Sequence, residues 1–181
     1  MRPLIVSADA WSEQRWKNGR GLTHEIWRWT DPRSAISPNE FDLRLSVAVI
    51  DGPQAFSTFP GCWRSLVPLD VSELRLQPDA LTLTKHRVVS FSGDAKVSAE
   101  GSGTTRDLNV MSREARGRAL VTIADAYTHD AGHLAVFALT AVAFDEGATS
   151  TVLDAHVSWI SLDLPPGSTF TTTAPVVWIR F

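Results

Sequence analysis

The sequence predicts an all-β fold, a sandwich or barrel. Short segments rich in Val, Ile, Thr, Phe and Trp recur, separated by Gly, Pro, Asp or Ser. From Phe41 to Val49 the odd positions are all apolar, whereas Asp42, Arg44 and Ser46 occupy even ones. Period two places these sets on opposite faces of one strand. Helix signals are few.

The predicted strands are, in order, Leu22–Thr30, Phe41–Ile50, Leu66–Val71, Leu74–Leu76, Leu81–Thr84, Arg87–Phe91, Ala95–Ala99 and Thr105–Met111. Ala119–Ala126, His133–Phe144, Thr149–Leu153, His156–Leu162 and Val176–Phe181 follow. The last is apolar nearly throughout, as expected of a strand covered on both faces, and Trp159 and Trp178 are assigned to the core. One short helix is predicted over Ala10–Arg15, with Asp9 as its cap. Thr30–Glu40, with Pro32, Pro38 and Asn39, is a surface loop. The three arginines and Gly117 of Ser112–Arg118 mark a boundary between two strand-rich halves of one domain, about residues 1–112 and 113–181.

Composition excludes several function classes. The chain has 181 residues, 44% hydrophobic and 20% charged, enough to bury a core without staples. Seventeen Lys+Arg against 20 Asp+Glu give a net charge of −3, which argues against nucleic-acid binding. No apolar run is long enough to span a membrane, and Met1–Ser7 lacks a signal-peptide core, so a cytoplasmic setting is expected. Cys62 is the single cysteine and excludes an intrachain disulfide. Seven Trp stand beside five scattered His: aromatic groups are plentiful and metal ligands scarce.

Metal chemistry finds little footing, and no metal or cofactor is expected. His129 and His133 are four apart, but Gly132 and Asp130 indicate a turn bearing exposed loop histidines rather than a helical ligand pair. Cys62, beside Trp63 and two residues from Arg64, has the setting of a lowered thiol pKa but no catalytic signature around it. Gly101-Ser102-Gly103 is a turn, since no third glycine or following helix completes a phosphate loop.

Three segments carry more. Trp16-Lys17-Asn18-Gly19-Arg20-Gly21-Leu22-Thr23 crowds an aromatic, two cations, an amide and two glycines ahead of a strand. It is either an anion-cradling turn or a hairpin turn in which Asn18 bonds its own backbone. Asp51–Leu66 is a long loop with three aromatics, in which Arg64 is the natural carboxylate anchor. In Thr105–Met111, Asp107 and Asn109 share the face opposite Leu108 and Val110; taken alone, that face reads as solvated.

Together these segments resemble the HutD/Ves family of bacterial proteins. The resemblance rests on Trp16–Ile26, Arg44–Ala48, Phe56–Gly61 with Arg64 and Leu66, Phe91–Asp94 and Asp107–Met111, in order across about two-thirds of the chain. Arg20 stands where the family usually has a glycine. The resemblance implies a cupin-like barrel of two fused cupin-type halves. It also implies a pocket in which Ser57, Phe59 and Arg64 replace the usual metal ligands. On this basis Arg64 and Arg44 anchor a small carboxylate, Ser57, Asn109 and Asp107 orient it, Phe59 and Trp63 wall it, and the Asn18 turn braces it. The implied role is a non-enzymatic governor of histidine utilisation, binding an intermediate such as formylglutamate or urocanate. Two other readings stay open. One is a metal-free isomerase or lyase using Asp107 with His24 or His156 as general base. The other is a stress-response interaction module or homodimer, with Trp11, Trp27 or Trp29 as its face.

Overall fold

A computed structural model describes residues 3–16, 21–34, 37 and 40–181. Among these, seventeen strands follow in chain order: β1 (Leu4–Val6), β2 (Ser12–Arg15), β3 (Gly21–Trp29), β4 (Leu43–Asp51), β5 (Gln54–Ala55), β6 (Cys62–Pro68), β7 (Arg75–Gln77), β8 (Leu81–Thr82) and β9 (Val89–Ser92). β10 (Ser98–Glu100), β11 (Thr104–Arg113), β12 (Leu120–Thr128), β13 (Leu134–Phe137), β14 (Val142–Glu146), β15 (Thr149–Leu153), β16 (Ser158–Ser161) and β17 (Thr169–Arg180) complete the set. The fold is all-β, as the strand pattern predicts, and cupin-like, as the family resemblance implies. No helix among the described residues is long and apolar enough to cross a membrane.

Contacts divide the chain into two compact units, Ser12–Arg118 and Met1–Trp11 with Ala119–Phe181. In the Ser12–Arg118 unit, a six-stranded sheet runs β2-β3-β4-β11-β6-β9 and a four-stranded sheet runs β5-β10-β7-β8. An apolar cluster including Ile50, Phe56, Leu66, Leu74, Leu83 and Val97 draws on strands of both sheets and the segments between them. Burial of such side chains stabilises by about 1.5–3 kcal/mol each. The alternation along β4 is real, but both its faces are buried: Leu43, Leu45 and Val47 on one, Arg44, Ser46 and Ala48 on the other. A strand with two covered faces must place its polar residues in a cavity or pair them.

The second unit is one sheet ordered β1-β16-β13-β17-β14-β15, with β12 also paired to β17. Its core is aromatic. Phe144, Trp159, Phe170 and Trp178 pack together, Tyr127 stacks on Trp178 at 5.2 Å, and the Trp178 indole N–H donates to the Ala124 carbonyl at 3.0 Å. Trp159 and Trp178 are thus core residues, as predicted.

Several boundaries differ from the sequence reading. In place of a helix over Ala10–Arg15 there is one 3-10 turn, Ala8–Ala10, followed by β2. Pairing with β3 overrides the weak local helix signal. The predicted His133–Phe144 strand is two strands, interrupted where Ala138 leaves the ladder to bond Val157 and His156 through its backbone. The strand predicted from Leu66 starts at Cys62, and the C-terminal strand starts at Thr169 rather than Val176.

Candidate functional site

Antiparallel pairing lays out one face of the six-stranded sheet in rows, because directly opposed residues point the same way. One row is Arg28, Arg44, Met111, Arg64 and Phe91. The next is Glu25, Ser46, Asn109, Leu66 and Val89. The third is Thr23, Ala48, Asp107 and Pro68. Over this face lies a cavity of about 410 Å³, closed by Phe56, Ser57 and Phe59 from one segment and by Gln14, Arg15 and Trp16 from another. That volume suits a small organic ligand.

Arg64 is only 6% exposed. Its guanidinium stands 5.5, 5.4 and 5.1 Å from the ring centres of Phe56, Phe59 and Phe91, within cation–π range. One Nη donates to the Ser57 carbonyl at 3.1 Å, while Nε has no acceptor. Among the described residues no carboxylate pairs with it. Burial, and then the like charge of Arg44, lower its pKa to about 10, which leaves it cationic at neutral pH.

Arg44 differs. Its Nε donates to Glu25 at 2.7 Å, and Glu25 also accepts from Arg28 at 2.8 Å. This triad exists because of a bulge. The ladder between β3 and β4 shifts between Glu25 and Trp27, leaving Ile26 extra. Without the extra residue, Glu25 and Arg28 would face opposite ways. Burial acts to raise the pKa of Glu25, but Arg28 and Arg44 together hold it below the ordinary value. With one carboxylate shared by two guanidiniums and Arg64 unpaired, this end of the cavity carries excess positive charge.

The other end is rich in acceptors. Asp107 is fully buried and neither carboxyl oxygen has a partner; Oδ1 of Asn109 and Oγ of Ser46 are likewise unpartnered. Burial without a compensating donor, with a smaller push from Asp70, raises the Asp107 pKa to about 7.

Two glycines permit the walls. A Cβ on Gly21 would come within 2.5 Å of the Trp16 indole, whose N–H donates to Thr23 at 2.7 Å. A Cβ on Gly93 would lie 2.3 Å from the Phe59 carbonyl, which therefore sits close over that backbone.

The structure gathers Arg44, Arg64, Asp107, Asn109, Ser57 and Phe59 around one cavity. Ser57 is exposed at the rim, and its backbone rather than its hydroxyl meets Arg64. Trp63 is not a wall: next to Arg64 on a strand, it points to the opposite face and stacks beneath Arg118 at 3.7 Å. Asn18, with its neighbour Arg20, lies outside the described residues. Neither histidine suggested as a partner of Asp107 lines the cavity. His24 lies between Thr23 and Glu25 and so faces away from the cavity, and His156 stands in the other unit beside Phe137. His129 is fully buried rather than exposed, with Nε2 3.2 Å from the Gly132 carbonyl. Burial raises the Cys62 thiol pKa, opposite to an activated nucleophile. Trp11, Trp27 and Trp29 are half-buried.

Glu25, Ser46 and Phe91 were not singled out from sequence. Ser46 shares the alternation of Arg44 and could have been; the bulge hid Glu25.

The chain is similar in sequence and in fold to known proteins. Over 116 residues the chain is 36% identical to protein Ves of Citrobacter koseri, covering 61% of this chain and 58% of that protein. Over 119 residues it is 34% identical to an uncharacterised 21.2 kDa protein in the hutC 3′ region of Pseudomonas putida, covering 64% and 60%. The chain thus spans less than two-thirds of either relative. Among solved structures, a conserved protein of unknown function from Pseudomonas aeruginosa PAO1 superposes with a TM-score of 0.87 at 27% identity, covering 99% of this chain and 98% of that one. HutD from Pseudomonas fluorescens SBW25 gives 0.81 at 23%, covering 98% and 97%. A cupin barrel protein from Leptotrichia buccalis gives 0.53 at 9%, covering 99% and 95%, a likeness of fold alone. The HutD family model matches residues 8–170, which include every cavity residue named above, and the chain belongs to the HutD family.

Proposed function

We propose that the Ser12–Arg118 unit binds a small carboxylate and that the protein acts in the cytoplasm as a non-enzymatic regulator of histidine utilisation. The observation that carries this reading is Arg64: a buried guanidinium, cationic, ringed by three phenylalanines and lacking a carboxylate partner among the described residues. A buried charge without a counter-ion is costly. A ligand carboxylate supplies the counter-ion and can bond two guanidinium nitrogens at once. The phenyl rings cover its carbon skeleton. The hutC-region name of the Pseudomonas putida relative directs the choice of ligand to histidine breakdown, with urocanate and formylglutamate as candidates. Among the described lining residues no histidine stands beside Asp107, the pairing that the isomerase or lyase reading calls for.

Thermal-shift and calorimetric titration with urocanate, formylglutamate, histidine and glutamate test this. At least one should stabilise the protein at millimolar concentration, and Arg64→Ala should weaken it by tenfold or more. Stabilisation by none of the four, or an Arg64→Ala variant with unchanged affinity, sinks the reading.

A further inference from the structure

We propose that the cavity selects a bifunctional ligand, a carboxylate that carries an N–H donor at its far end, with Asp107 and Asn109 accepting from that donor. This rests on the carboxylate reading above and adds the chemistry of the second end.

The argument begins with an imbalance of hydrogen-bonding groups. At the Met111 row the protein offers guanidinium donors. Two and four residues along β11, three acceptor oxygens are unmet, Oδ1 of Asn109 and both carboxyl oxygens of Asp107, with the Ser46 hydroxyl opposite Asn109 also unpartnered. Asn109 and Asp107 point into the same cavity because they share the period-two face of β11 with Met111. At about 3.4 Å per residue, Asn109 lies about 7 Å from the arginine row and Asp107 about 14 Å.

Buried polar groups are ordinarily satisfied, and three unmet acceptors on one cavity face are exceptional. A dicarboxylate would place oxygen against oxygen there. A purely apolar tail would leave the acceptors desolvated and unpaired. A ring or amide N–H, or an ammonium, satisfies them. Polar sites of this type reject an analogue lacking the donor far more strongly than apolar pockets reject a missing methylene. Burial pushes the Asp107 pKa up, and a ligand N–H or ammonium donating to the carboxylate opposes that push.

Urocanate and trans-cinnamate form a matched pair of probes, since each carries a planar ring and a conjugated carboxylate but only urocanate carries ring N–H. Calorimetric affinities are measured for wild type, Asp107→Leu and Asp107→Asn, with folding of each variant verified by circular dichroism. Wild type should prefer urocanate by tenfold or more. Asp107→Leu should cut that preference to within about threefold while cinnamate binding persists. Asp107→Asn keeps the shape and one acceptor, so it should fall between them if the leucine variant fails to fold. Equal binding of both probes, each lost in Arg64→Ala, overturns this inference and leaves the carboxylate reading intact. A preference unchanged in both Asp107 variants also overturns it. Binding of neither probe nor of the other carboxylates overturns both.

Discussion

Arg44 and Arg64 stand on either side of Met111 in a single cross-strand row, yet only Arg44 is paired with a carboxylate. The two guanidiniums therefore have different tasks. Arg44 is fixed by Glu25 and adds field; Arg64, held by aromatic rings and one carbonyl, is the group proposed above to meet an anion. Placing two like charges this close costs stability, and an anionic ligand returns it.

Glu25→Gln tests this division. The substitution keeps the shape but removes the charge that Arg44 and Arg28 share. It should destabilise the free protein by about 2–4 kcal/mol, because a buried guanidinium loses its counter-ion. The same change makes the cavity more positive, so a stabilising carboxylate should raise the urea midpoint more in the variant than in wild type. Urea unfolding with and without ligand measures both quantities. An unchanged midpoint would mean that solvent already satisfies Arg44.

Asp107 should give the fold a distinct dependence on pH. Its pKa is about 7 in the folded chain against 3.8 for the exposed group, so the folded state holds a proton that the unfolded state releases. The contribution is fully present below pH 4 and is lost as pH rises through 7, about 4 kcal/mol in all. Arg15, Arg44 and Arg64 line the same cavity, Glu25 pairs with Arg44, and Asp70 with its partner Arg106 stands nearby; these set the background slope. Asp107→Asn has no proton to lose, so its urea midpoint should fall less than that of wild type between pH 4 and 7. Parallel curves for the two proteins would show that Asp107 is ionised in the folded state throughout.

The strand-rich texture made the all-β class legible, and the aromatic-rich segment around Arg64 made that residue legible as part of a cavity. Other features were hidden for local reasons. Trp63 was placed in the cavity because the segment read as a loop; once β6 begins at Cys62, parity sends Trp63 and Arg64 to opposite faces. Glu25 escaped notice because one extra residue, Ile26, resets the face of everything before it. Asp107 and Asn109 looked solvated because the alternation of one strand tells which residues share a face but not what covers it. Only pairing with β4 and β6 shows that this face lines a cavity.

Gly93 offers a test of the cavity wall that touches no ligand-binding group. Its backbone N–H donates to the Cys62 carbonyl at 2.7 Å and its carbonyl accepts from Phe59 at 2.8 Å, so the chain crosses itself closely there. In Gly93→Ala the new methyl meets the carbonyl oxygens of Phe59 and Cys62 at 2.3 and 2.9 Å, both backbone atoms that cannot rotate away. The Phe56–Gly61 segment must shift outward, lifting the Phe59 ring from Arg64. A stability loss of about 1–3 kcal/mol should accompany a several-fold loss of carboxylate affinity. Gly147→Ala provides the contrast. Gly147 has φ +58 and open space around its missing Cβ, so alanine there should cost only about 1 kcal/mol of local strain and leave affinity unchanged. Equal effects of the two alanines on affinity would show that Phe59 does not set the geometry of Arg64.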